Sequence, residues 1–222
     1  MAIAYVASSA VSGTNGGGTS SHTIACNVGS GTDRGLIVHV WSVGNDRVTG
    51  VTYAGIAMSL KEKVFSTSNI ETMTSWILPN PTSGSNNIVV TASAASEIFT
   101  TAAAYTGVDQ TDFVDVDAST FSSGTPITTA PTPTLADCWL VAGCGGQRNA
   151  TASTGLTALA GDGSQGAIAH SAGVITNGVA YTNSFTVASP LRQLLISTVI
   201  KPSGGGGGGT IPSRLMMMGV GV

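Results

Sequence analysis

The first 202 residues alternate short runs of β-branched and aromatic residues with clusters of Gly, Ser, Asn and Pro. The densest run is GLIVHVWSV at residues 35–43, which is bounded by Asp33 and by the Asn45-Asp46 pair. Runs of this length between turn residues are typical of strands, and none of them has the pattern of a convincing helix. About a dozen such runs predict an all-β fold, an antiparallel β-sandwich or jelly-roll-like body.

Residues 97–105 (EIFTTAAAY) are the segment with the strongest competing interpretation. Their alanine content favours a helix, whereas Ile98, Phe99 and the two threonines that follow favour a strand. Gly107 ends the run. We predict a strand here.

The two halves of the chain share an order of motifs. DRGLIVHV begins one half and DCWLVAGC the other, and each continues through a turn-rich segment to a long apolar run. We therefore expect one β-sandwich domain over residues 1–202 with two similar layers, 1–110 and 111–202, although sandwich topology alone also produces such an echo. A glycine linker at 203–210 and an apolar C-terminal peptide at 211–222 complete the predicted organisation.

Composition limits the partners of this chain. Only 9% of its residues are charged, the formal net charge is −3, and the eight Lys and Arg residues form no basic stripe. We expect a neutral, polar surface that binds no nucleic acid. No run reaches the roughly 18 to 20 apolar residues of a membrane span. The first residues lack the basic and long apolar regions of a secretory signal, so we expect no export by that route.

The three cysteines predict buried, reduced thiols rather than a disulfide framework. Cys138 and Cys144 are six positions apart in one predicted strand. That spacing separates them by roughly 20 Å. A disulfide needs Cα atoms within about 7 Å of each other.

The sequence offers no catalytic arrangement, so we predict a protein that is not an enzyme and needs no cofactor. His22, His39 and His170 lack companions at metal-ligand spacing. Residues 161–166 (GDGSQG) fit a dinucleotide-binding glycine pattern, but another predicted strand follows them where that motif requires a helix. A glycine-rich hairpin turn is the favoured interpretation.

One acidic cluster, DFVDVD, contains Asp112, Asp115 and Asp117. Strand alternation places Asp115 and Asp117 on one face and Asp112 on the other. A weak calcium site is one interpretation of this cluster. The favoured alternative is an exposed edge strand guarded by charge.

Three tryptophans, Trp41, Trp76 and Trp139, are candidates for stacking against a sugar. Aromatic faces suit the apolar faces of pyranose rings. Tryptophans in a sandwich are more often buried in its core, and we favour that alternative.

The C-terminal peptide is the segment whose simplest interpretation is itself an interaction. It follows six glycines (204–209), which normally act as a flexible tether, and it is apolar with a single charge. The peptide could dock in a groove or add to a sheet edge. Burial of its apolar side chains would then stabilise the docked state by on the order of 10 kcal/mol, before the entropy cost of ordering the peptide is subtracted. The residues that we expect to dock it to a partner are Ile211, Pro212, Arg214, Leu215, Met216, Met217, Met218 and Val220.

Several phrases of the chain resemble a loose family of virion proteins from tailed bacteriophages and prophages. They are the start MAIAYV, LIVHVWS followed by VTGVTYAGIAMSL, WILPNP, AAAYTGVD at 102–109 and STVIKP at 197–202. The ending RLMMMGVG is similar to the apolar tails of phage structural proteins. The resemblance implies a β-sandwich displayed on a virion as a capsid decoration, head fibre or tail-fibre component, with no catalytic residues to carry over.

Three hypotheses follow from the sequence. The first is a non-enzymatic virion structural protein, made in the host cytoplasm, whose C-terminal peptide docks it to other virion proteins and to copies of itself. The second is a receptor-binding virion module that contacts host surface glycans. The third is a surface-filament subunit joined by donor strands, which requires an export route.

Overall fold

The computed structural model describes residues 1–67, 70–146, 150–163, 165–188 and 192–204. Within these ranges the regular elements are eighteen β-strands, and every strand pair is antiparallel. The predicted all-β, sandwich-like fold is therefore confirmed. There are more strands than expected because very short strands pair within the turn-rich segments. The same ranges contain no helix long and apolar enough to cross a membrane.

The first half of the chain forms two sheets. Its strands are β1 (Ala4–Tyr5), β2 (Val11–Thr14), β3 (Thr19–Asn27), β4 (Gly35–Val43), β5 (Val48–Tyr53), β6 (Ile56–Ala57), β7 (Ser59–Phe65), β8 (Glu71–Pro79), β9 (Ser85–Ser96) and β10 (Ile98–Thr106). The N-inner sheet has the order β1-β10-β4-β8-β7, with β2 also paired to β10. The N-outer sheet has the order β3-β9-β5-β6.

The second half repeats this arrangement with fewer strands. They are β11 (Val114–Ser122), β12 (Ile127–Thr129), β13 (Trp139–Gly146), β14 (Ala150–Ala152), β15 (Thr157–Gly161), β16 (Gly166–His170), β17 (Asn183–Val187) and β18 (Gln193–Ile200). The C-inner sheet has the order β11-β18-β13-β16-β15, and the C-outer sheet has the order β12-β17-β14.

Each half packs its two sheets around a core of its own. In the first half, alternate residues of β4 face the N-outer sheet: Leu36, Val38 and Val40 pack in one cluster with Val51 and Val90. In the second half, the equivalent cluster joins one face of β13 to the C-outer sheet, through Leu140, Ala142, Cys144, Phe185 and Val187. Each half is thus a β-sandwich.

The opposite faces of the two inner sheets pack against each other, and we call this contact the central interface. One part of it is formed by Ile37, Ile77, Ala103 and Tyr105 with Val141, Ile168 and Ile200. Another part is formed by Trp41, Met73 and Phe99 with Leu194 and Ile196. The molecule therefore stacks its sheets in the order N-outer, N-inner, C-inner, C-outer.

This stack corrects the expectation of two similar layers, 1–110 and 111–202, in one sandwich. The change from one half to the other does fall between β10 and β11, but each half supplies two sheets. The physical reason lies in the inner strands. GLIVHVWSV is apolar on both faces and buried along almost its whole length, so it needs a covering sheet on each side.

Three glycines of the C-inner sheet allow the central interface to close. A Cβ atom at Gly143, Gly145 or Gly166 would come within 3.0 Å of another residue. The atoms that it would meet include those of His39, Trp41 and Phe99 respectively, which project from the N-inner sheet. Real Cβ atoms essentially never make contacts that close. Large side chains of the N-inner sheet thus pack directly against the glycine backbone of the C-inner sheet.

The three cysteines are free and buried, as the sequence predicted. Burial raises the pKa of each of the Cys26, Cys138 and Cys144 thiols to about 12. They therefore pack as small apolar residues and stay protonated at neutral pH.

Two local predictions are also confirmed. The segment with competing helix and strand interpretations is strand β10. The glycine-rich segment 161–166 connects β15 to β16, which pair as a hairpin, and position 164 within it lies outside the described residues. Gly163 has a φ of 72°, a conformation that suits glycine in a tight turn.

Candidate functional site

The C-terminal docking peptide predicted at 211–222 lies outside the described residues, as do residues 205–210 before it. The last segment that the structure describes, residues 201–204, is anchored to the body, and we call it the exit. Ser203 donates its backbone N–H to the carbonyl of Gly107 at 2.7 Å, and the Met1 ammonium donates to the carbonyl of Ser203 at 2.7 Å. Pro202 forms a bridge with Val108. The exit is thus held beside the end of the central interface.

A cleft of about 540 Å³ opens beside this exit. Four segments that are far apart in sequence form its walls: the start of the chain, the beginning of β13, the turn after β16 and the segment after β18. Its lining residues are Met1, Ala2, Ile3, Asp137, Trp139, Gly173, Val174, Pro202, Ser203 and Gly204. We call it the exit cleft.

Trp139 provides the aromatic wall of the exit cleft. Its ring lies 5.4 Å from that of His170 and 6.3 Å from that of Tyr105, measured between centroids. Tyr5 completes the cluster, with its ring 5.1 Å from His170. Burial lowers the pKa of His170, which keeps this imidazole neutral at pH 7. The half-buried indole is therefore held by a ring cluster behind it.

The rest of the exit cleft is mainly apolar. Met1 and Val174 are 67% and 61% exposed, although their side chains are hydrophobic. Of the described residues that line the cleft, Asp137 is the one with a charged side chain. It is exposed, and it has no ion-pair partner within the part of the chain that the structure describes. An apolar ligand whose positive charge lies beside Asp137, away from the Met1 ammonium, would match this surface.

The structure separates the three tryptophans proposed for glycan contact. Trp41 is 1% exposed and lies in the central interface, and Trp76 is 7% exposed and lies in the core of the first sandwich. Neither can stack against a sugar, and both fit the favoured interpretation of core residues. Of the three, Trp139 is the one that lines the exit cleft.

The three aspartates do not converge as a calcium site would require. Asp112 forms an ion pair with Lys61 at 3.0 Å, Asp115 accepts a bond of 2.7 Å from the Thr134 N–H, and Asp117 lies opposite Thr198 in the strand ladder. In the described ranges no group of three potential ligands is close enough to hold a metal ion.

The expectation that Asp115 and Asp117 share a face was wrong. A bulge in β11 shifts the register between Val114 and Val116, so the strict alternation of faces is interrupted there. Asp115 turns toward Thr134 and Cys138. Asp117 is placed opposite Thr198, whose hydroxyl meets Ser75 across the central interface.

Of the three histidines, His39 has the most unusual environment. It is 1% exposed in the central interface, and neither ring nitrogen has a hydrogen-bond partner among the described residues. Its neighbours across the N-inner sheet are Ser75 and Thr101, and Gly143 lies under its ring. Burial lowers the pKa of His39 to about 3. The imidazole is therefore a neutral packing group.

His39 should make the protein sensitive to acid. Between pH 6.5 and about 3, the unfolded chain binds a proton at this ring that the native state rejects. The free energy of unfolding therefore falls as the pH is lowered through this window. Between pH 6 and pH 4 we expect the free energy of unfolding to fall by about 2 kcal/mol more in the wild type than in the His39→Leu variant. Urea unfolding of both proteins across this range measures the difference, and parallel pH profiles would contradict it.

Sequence reasoning missed the exit cleft, because no contiguous motif encodes it. The only available signal was the position of Trp139 at the start of a predicted strand. Comparisons with protein-family models, curated proteins and solved structures found no match to this chain.

Proposed function

We propose that this chain is a non-enzymatic structural protein of a bacteriophage virion. In this proposal the four-sheet body is an exposed module, such as a capsid decoration, head fibre or tail-fibre component. The C-terminal peptide docks the module to other virion proteins and to copies of itself. The protein is made in the host cytoplasm and becomes part of the particle there.

The proposal is carried by an apolar peptide and its glycine tether in the sequence, which follow directly on a segment that is anchored to the body. Residues 201–203 are held there by backbone bonds from Lys201 to Phe113 and from Ser203 to Gly107, so the tether starts from an anchored position. A docking peptide on such an anchor can link many copies at high effective concentration.

The body itself suits a display role. Its inner sheets are covered on both faces, and ion pairs such as Lys61–Asp112 lie at its surface. Few charged residues leave a surface of Ser, Thr, Asn and Gly. The sequence motifs that resemble those of phage virion proteins lie in strands of the N-inner sheet. LIVHVWS lies in β4, WILP ends β8 and AAAYT ends β10.

The proposal is tested on purified particles. We expect an antibody against this chain to label particles in immunoelectron microscopy. A chain that lacks residues 211–222 should be made at a normal level but lost from particles, because its docking contacts are gone. The measurement is the amount of the chain per particle, by quantitative mass spectrometry.

A matched control replaces the three methionines at 216–218 by leucine, which keeps the segment apolar and should preserve incorporation. Replacing the same three by serine should reduce it. Particles without the chain would overturn the virion assignment, and full incorporation of the truncated chain would overturn the docking role.

A second candidate function, binding of a host glycan, is favoured by one observation. Trp139 is half-buried in a cleft that also presents the carboxylate of Asp137, and this pairing of an aromatic face with a hydrogen-bond acceptor suits a pyranose. Assembled particles would then bind members of a glycan array, and Trp139→Ala would abolish the binding. An array without hits would count against this function.

A further inference from the structure

We propose that the exit cleft is the acceptor for the C-terminal peptide of a second copy of this chain. Residues 214–218 would occupy it, with Arg214 against Asp137 and the Leu and Met side chains against Trp139. This inference rests on the proposed docking role and names the receptor for it.

The lining of the cleft fits these side chains. Ile3, Trp139, Val174 and Pro202 give it an irregular apolar surface, and Val174 is 61% exposed at its rim. Methionine side chains adapt well to irregular apolar surfaces. The volume of about 540 Å³ falls within the range of clefts that enclose a ligand larger than a single side chain.

The charges are complementary. Arg214 is the only charged residue between positions 203 and 222, and among the described residues Asp137 is the only one with a charged side chain that lines the cleft. A guanidinium and a carboxylate can form paired hydrogen bonds, which would fix the direction in which the peptide enters. The Met1 ammonium is a second charge in the cleft; it donates to the carbonyl of Ser203, and no ion pair among the described residues joins it to Asp137.

The length of the spacer favours a second copy over the chain's own cleft. Gly204 lines the cleft itself, yet Leu215 is eleven positions further along. A glycine-rich segment of that length has a root-mean-square span of about 18 Å. The effective concentration of a tethered group is highest at a target about that far away. The chain's own cleft lies directly at the exit, so a peptide that binds there needs no such spacer. A peptide that binds in the cleft of an adjacent copy does need one.

Cysteine cross-linking between two variants of the full chain tests the proposal. One variant carries Val174→Cys at the rim of the cleft, and the other, labelled with ¹⁵N, carries Met217→Cys in the peptide. Because the native thiols are buried and protonated, they should not compete. On mild oxidation of the mixture we expect a disulfide-linked dimer, with mass spectrometry locating the bond between positions 174 and 217.

Val179→Cys is the matched control, because Val179 is 56% exposed and does not line the cleft. It should cross-link severalfold less. Asp137→Asn, which keeps a residue tolerant of the φ of 59° at this position, should slow the 174–217 reaction about two- to fivefold. Asp33→Asn, at a φ of 50° outside the cleft, should leave it unchanged.

Equal cross-linking at positions 174 and 179 would overturn the proposal. So would a bond that forms only within one chain carrying both Val174→Cys and Met217→Cys, since the peptide would then occupy its own cleft. Neither result depends on particles. If truncation at 211 still removes the chain from virions, the docking role stands and its receptor lies elsewhere.

Discussion

Gly143→Ala should destabilise the protein by about 3 kcal/mol, at the upper end of the usual cost of overpacking. The added methyl group would meet His39 within 3.0 Å, and one of the atoms that it meets is the Cβ of His39. A Cβ atom cannot rotate away, so the two inner sheets themselves must separate. The loss should show as a lower midpoint in urea unfolding with an unchanged dependence on denaturant.

Gly50→Ala is the control for this change. Gly50 is also a strand glycine, in β5, but nothing lies within 4 Å of its hypothetical Cβ, and its φ is outside the left-handed range. Its replacement should be neutral or stabilising by a few tenths of a kcal/mol. Equal effects of the two substitutions would show that the inner sheets do not pack as closely as described. In the background of His39→Ala, Gly143→Ala should cost less, because the ring atoms that it meets are gone.

Arg192→Ala should also cost about 3 kcal/mol, because it leaves a buried carboxylate without its partner. Glu71 lies on the N-inner sheet and is 1% exposed. Arg192 belongs to the other half of the molecule, and its Nε donates a hydrogen bond of 3.0 Å to the Oε1 of Glu71. Arg192 itself is 36% exposed, so water replaces part of what is lost, and we place the cost at the lower end of the range for buried pairs. Urea unfolding at pH 7.5 measures it.

The pH dependence of that cost identifies its origin. Burial raises the pKa of Glu71, and Arg192 opposes the rise. Without Arg192 the folded state holds the Glu71 proton still more tightly, so the free energy of unfolding of the variant falls more steeply as the pH increases above about 4.5. We expect the difference from wild type to be large at pH 7.5 and to shrink toward pH 5.

Two further variants complete the comparison. Adding Glu71→Gln to Arg192→Ala should recover most of the lost stability, because no buried charge then remains. Lys61→Ala breaks the ion pair with Asp112, in which both side chains are partly exposed, and it should cost less than about 1 kcal/mol. A loss after Arg192→Ala that is independent of pH and persists in the double variant would contradict the electrostatic explanation.

The sequence predicted the fold class well because strand formation is a local property here. Residues 35–43 and 98–106 carry β-branched and aromatic side chains between turn residues, and both ranges are strands. The order in which the sheets stack was harder to predict from the sequence. Strands that are apolar on both faces, such as β4 and β18, indicate that both faces are covered, but their sequences do not identify the sheet that covers each face.

Features of the site depend on contacts between distant parts of the chain, and the sequence predicted them poorly. The bulge in β11 that separates Asp115 from Asp117 leaves no mark in a pattern of alternating residues. The exit cleft joins residues near positions 2, 138, 174 and 203, which only the packed body brings together. Trp139 could be identified as a candidate, but its distinction from Trp41 and Trp76 required their burial.

The central interface also has a consequence for synthesis on the ribosome. When the first sandwich has emerged and β11 to β18 are still to come, the face that bears Trp41, Met73 and Phe99 has no cover. Three large hydrophobic side chains would then be open to water and to other nascent chains. The second half of this protein therefore covers an apolar face of the first half. This face stays exposed, and prone to aggregation, until the complete chain has been released.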